Sequence, residues 1–139
     1  MRRVGNYERL LVEWASSRLG SPFEYGMCDC ATLLCEALEV MLGFNPVPDL
    51  PTWNSKKEAL KVWKITGGTL AQLKKLAAKE VGINFTQTGD IVVLPRPSGH
   101  FATAGIIING KMLSIAAGNR VSYYSLNMIQ KPIISLRLC

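Results

Sequence analysis

Near Gly82 the spacing of apolar residues changes, and that change limits what the chain can fold into. Before it, apolar positions recur at three- and four-residue intervals, the period of a helix packed along one side. After it they come in short β-branched or aromatic runs separated by turn residues, the pattern of strands. Helices first and antiparallel strands afterwards predict an α+β domain.

Leu10, Leu11, Trp14 and Leu19 place a first helix between Asn6 and Leu19, stopped by Gly20-Ser21-Pro22. Asp29 has the chemistry of an N-cap for a second helix running to Leu42, with Gly43 as its C-terminal glycine. With Cys30 as origin and about 100° per residue, Leu33, Leu34, Ala37, Leu38 and Met41 fall within about 80° of it. Thr32, Glu36 and Glu39 fall opposite, so Cys30 begins this helix on its buried face. Pro46, Pro48 and Pro51 then mark an extended loop. Ser55 with Glu58 predicts a third helix to about Thr66, and Thr69 with Gln72 a fourth to about Val81, with Gly67-Gly68 between them. Strands are expected over Asp90 to Leu94, Phe101 to Ile108, Met112 to Ala116, Arg120 to Tyr124 and Pro132 to Leu138. Asn109-Gly110 is a hairpin signal, and the sheet is expected to pack on the helix that begins at Cys30.

At 139 residues the chain fits one domain, 1–139. Its hydrophobic content of 48% against 19% charged residues excludes disorder. Met1-Arg2-Arg3 is basic like a signal start, but Glu8, Arg9 and Glu13 leave no apolar stretch behind it, so the expectation is a soluble chain without a leader and without a membrane span. Residues 1–54 hold 4 Lys/Arg against 7 Asp/Glu, whereas residues 55–139 hold 12 against 3. The basic half suits nucleic acid, an anionic wall polymer or an acidic protein. Nucleic acid is set aside, because Lys57, Lys61 and Lys64 form a solvated helical stripe with no interleaved aromatics on which bases could stack.

Cys28, Cys30, Cys35 and Cys139 are expected as free thiols. Their C-x-C-x4-C spacing leaves zinc or an iron–sulfur cluster open as an alternative. Cys30 and Cys35 differ by about 140° around a helix, however, which works against convergence on one metal, so no cofactor is expected. For catalysis, Cys30 has the location that favours a thiolate, at a helix N-terminus, and His100 is the only histidine that could act as its base.

Three blocks extend this reading: Ser21-Pro22-Phe23-Glu24-Tyr25-Gly26-Met27-Cys28-Asp29-Cys30-Ala31, Gly89-Asp90-Ile91-Val92-Val93, and Ala104-Gly105-Ile106-Ile107 with a hairpin after it. In this order they resemble the NlpC-type papain-like cell-wall peptidases, over about residues 6 to 138. The resemblance implies a papain-like fold, with Cys30 at the nucleophile position and Asp90 in the Gly-Asp strand opening. It puts Thr103 at the family's base position and Ser114 at the second polar position, and neither accepts a proton as imidazole does. His100 lies three residues before Thr103, an offset that points the two to opposite faces of a regular strand. Phe23 stands where many active members have tyrosine, and Cys28 is a second thiol beside the motif.

The closer resemblance is to a phage and prophage branch with a Phe-x-aromatic-Gly-x-x-Asp-Cys block, which implies a tail-tip or tail-assembly role in the virion. Expected partners are then other tail proteins and peptidoglycan. The favoured reading is a tail component with an incomplete catalytic centre. The alternatives are an active peptidoglycan stem-peptide hydrolase, with Cys30 attacking and His100 as base, and a metal or iron–sulfur protein using Cys28, Cys30, Cys35 and Cys139.

Overall fold

A computed structural model of the protein describes residues 2–76, 78–93, 104–116, 119–128 and 134–138. His100, Thr103 and Cys139 lie outside them. Among the described residues four α-helices precede the sheet: α1 (Tyr7–Arg18), α2 (Cys30–Leu42), α3 (Lys56–Thr66) and α4 (Gly68–Lys75). Six strands come after them: β1 (Lys79–Val81), β2 (Ile91–Val93), β3 (Ala104–Ile108), β4 (Lys111–Ser114), β5 (Ser122–Ser125) and β6 (Ile134–Arg137). They form one antiparallel sheet in the order β1-β6-β2-β3-β4-β5. The α+β expectation is met.

Helix α2 is the centre of the molecule because its sequence is apolar on nearly every side. Leu33, Leu34, Ala37, Leu38, Met41 and Leu42 are buried along it, and each fully buried Leu or Met contributes roughly 1.5–3 kcal/mol. These side chains join Ile91, Val93, Ala104, Ile106, Ile108, Leu113 and Leu136 in one core between helix and sheet. Glu36, on the remaining side, turns to α1: it accepts from the Trp14 indole at 3.0 Å and lies 3.2 Å from Arg18 Nε in an ion pair. The opposite face of the sheet carries a smaller cluster, Val92, Ile107 and Met112, with Tyr124 and Leu126 against it. All of β3 is therefore buried, although one-sided packing would have exposed alternate residues.

Local signals set several boundaries. Asp29 caps α2, and Gly43 ends it in the left-handed region with its N–H on Glu39 O at 2.8 Å. Asn109 and Gly110 both have positive φ, as the β3–β4 hairpin requires. The fourth helix departs from the expectation. It begins at Gly68 without the Thr69–Gln72 box, because Gln72 Nε2 reaches back and donates to Thr66 O at 2.8 Å. It ends at Lys75, and Lys79–Val81 instead pairs with Arg137, Leu136 and Ser135 as an edge strand. The Ser55 box is half realised: Ser55 Oγ accepts from Glu58 N, but the Glu58 carboxylate accepts from Asn54 N rather than from the cap itself. Among the described residues no helix is long and apolar enough to cross a membrane.

Candidate functional site

The site begins with one carboxylate. Asp29, almost wholly buried, accepts from Thr32 N at 2.8 Å through one oxygen, and the Thr32 hydroxyl accepts from Asp29 N at 2.9 Å, closing a reciprocal cap on α2. Its other oxygen accepts from Gly26 N at 2.9 Å and from the Trp53 indole at 2.6 Å. One side chain thus starts the helix, shapes the loop before it and anchors the proline-rich loop after it. Gly26 is required there: its φ is +78°, and a Cβ would run into the Trp53 carbonyl.

The loop also separates the two neighbouring thiols. Glu24 and Cys28 form a two-way backbone bridge around the turn Tyr25-Gly26-Met27, which sends Cys28 into the core. Burial pushes the Cys28 thiol up, partly countered by Arg18, and the side chain packs in the core. Cys30 is the first residue of α2, 6% exposed. The helix head therefore belongs to Cys30, as the sequence register predicts. Cys35 lies one and a half turns on, and burial, then the charges of Asp29, Glu36 and Glu39, push its thiol up to about 11.

Cys30 forms part of the wall of a cavity of about 110 Å³ between α2, the proline-rich loop, α3 and α4. Leu34, Cys35, Leu50, Trp53 and Leu73 are among its other walls, and the lining is overwhelmingly apolar. Sequence reasoning did not single out Trp53. Its one clue was a tryptophan closing a proline-rich loop just before a helix cap, and the partner that gives it meaning is 24 residues away.

The remaining site residues divide. Ser114, which the resemblance puts at the second polar position, is buried on β4, and its hydroxyl donates to Ala104 O at 2.6 Å. Asp90 serves the frame. Fully buried, it takes a two-pronged contact from Arg137 at 2.8 and 2.9 Å, a longer one from Arg3 at 3.3 Å and the Gln87 N–H at 2.8 Å. Burial pulls its carboxyl upward, but the Arg137 hydrogen bonds, Gln87 N–H, Arg137 charge and Arg3 together outweigh burial and hold it below its usual range. Phe23 stacks edge-on against Tyr25, ring centres 4.7 Å apart. Among the described residues no three His, Cys, Asp or Glu side chains gather as a metal site; Cys139 of the four-cysteine alternative is outside them.

Residues 2–131 match the model of a domain family of unknown function, DUF6950. The chain belongs to this family. No curated protein sequence matches it. Among solved structures it is similar to RipD of Mycobacterium tuberculosis, described as a non-catalytic NlpC/p60 domain protein with an adaptation to peptidoglycan-binding function. That similarity covers 96% of this chain and 98% of the other at 13% identity, with a TM-score of 0.50. At such identity the likeness establishes the fold, which is NlpC/p60-like, and it agrees with the papain-like architecture that the sequence blocks imply.

Proposed function

We propose that the chain is a non-hydrolytic NlpC/p60-like binding domain that recognises peptidoglycan, carried in the tip of a phage tail among other tail proteins. The observation that supports this most is Ser114. At the place the resemblance gives to the family's second polar residue, the chain has a buried hydroxyl already donated to Ala104 O. Thr103, aligned with the base itself, cannot take a thiol proton near neutral pH. The peptidoglycan ligand draws on the structural neighbour and on the basic half of the chain, which suits an anionic polymer. The tail setting rests on the sequence blocks alone.

Purified protein mixed with sacculi should pellet with them, less so at high salt, and should release no stem-peptide fragments by mass spectrometry. Cys30→Ser should pellet equally well. Fragment release that disappears in Cys30→Ser and in His100→Ala would instead establish the hydrolase, the reading favoured by Cys30's place in the first turn of α2. Absence of the chain from purified virions would remove the tail setting without touching the binding.

A further inference from the structure

The cavity beside Cys30 has a chemistry of its own. Three polar side chains in its wall are committed within the protein: the Trp53 indole to Asp29, the Gln72 amide to the Thr66 carbonyl, and the Thr66 hydroxyl to Val62 O; Tyr25 and Thr69 also line it. The rest of the lining is mainly carbon and thiol, from Leu34, Leu38, Cys35, Val62 and Leu73. Such a site offers sugar hydroxyls or peptide amides few partners. Its volume, about 110 Å³, is comparable to that of apolar cavities of about 150 Å³ known to admit benzene. A space of that size accommodates one ring or one branched aliphatic end.

Two features of the roof narrow the ligand. Helix α3 has no fully buried residue although Ala59, Val62 and Trp63 line the cavity, and Trp63 is 48% exposed, so apolar surface remains for a ligand to cover. Between Lys56 and Lys75 the two roof helices carry six lysines, all exposed, against the single acid Glu58. These lysines make the solvent side of the roof positive and draw anions towards it, while the one acid in the cavity wall, Asp29, is bonded to Gly26, Thr32 and Trp53.

We infer that this cavity is a binding site for a small anionic molecule that inserts one compact apolar group, a benzene-sized ring or a branched aliphatic end, beneath α3 and α4. The inference stands on the cavity and its roof, and holds whether or not the domain binds cell wall. Titration with three probes that share a phenyl group tests it: 3-phenylpropionate, benzyl alcohol and phenethylamine, monitored by tryptophan fluorescence and two-dimensional NMR of the full chain. The expected result is saturable binding with shifts confined to α2, α3 and α4, strongest for the anion and weakest for the cation. Ala59→Leu and Ala31→Leu, which fill the space from opposite walls, should each weaken the anion by about tenfold or more. If either variant unfolds, the other carries the test. No saturable binding, equal affinity in a folded filled variant, or a preference for phenethylamine would overturn the inference. A failure in the sacculus experiment alone would leave it standing.

Discussion

At the scale of single residues, Asp29 shows why some of the site could be read in advance and some could not. Its capping role is written within four residues, because an Asp before an apolar helix has one local task, and Thr32 answers it three positions on. Its second task depends on Trp53, which the fold brings in from 24 residues away, and no local pattern encodes that. The pairing is energetically significant because a charged, buried acceptor loses more than a neutral one when a donor is removed. Trp53→Phe keeps a ring in the wall but deletes the indole N–H, leaving that Asp29 oxygen with Gly26 alone. We expect a loss of about 1.5–3 kcal/mol in urea unfolding, with the fold retained by circular dichroism. A loss below about 0.5 kcal/mol would mean that solvent replaces the indole, and that the Asp29 junction is looser than its distances indicate.

At the scale of elements, α2 and the hairpin obey their sequence signals because periodicity, cap and turn chemistry agree there. The α3–α4 pair does not, since two consecutive glycines compete with the Thr69–Gln72 box for the start of the fourth helix. Gly67 and Gly68, at φ +82° and +89°, take the turn and start α4 at once. The short connection after Lys75 then delivers Lys79–Val81 to β6, whose open edge turns a sequence with no strong preference into a strand. Gly68 is the vulnerable point of this arrangement. A Cβ there would meet the Trp63 indole in a backbone conformation that L side chains rarely adopt. Gly68→Ala should therefore cost about 1–3 kcal/mol and displace Trp63, seen as a shift in tryptophan emission that a Trp63→Phe background abolishes. An unchanged emission spectrum with unchanged stability would show that the α3–α4 junction tolerates strain by moving as a unit.

At the scale of the whole molecule, the change of period near Gly82 was enough to give the architecture, but not the strand order. Strand β6 comes last in the chain yet lies between β1 and β2, a pairing with no local signature. What holds that closure is again a residue whose block was legible while its work was not. Asp90 bonds Arg137 of β6 and Arg3 ahead of α1, so one carboxylate joins segments separated by 47 and 87 residues. Its folded-state pKa lies below the unfolded value of about 3.9, so its contribution is fully present above that value and is lost as pH falls through the folded pKa. The native protein should accordingly lose stability on acidification below about pH 4, beyond the loss due to its exposed carboxylates. Asp90→Asn keeps the shape but leaves two guanidiniums facing a neutral amide; Arg3 and Arg137 are partly solvated, which moderates the cost to about 2–4 kcal/mol at pH 7. Because the variant has no group to protonate there, its stability should fall less steeply between about pH 4 and 2, and the two curves should converge. Parallel curves across that range would show that the clasp is not the acid-sensitive joint of the fold, and that the pairing of β6 is held by backbone hydrogen bonds and the Leu136 contact instead.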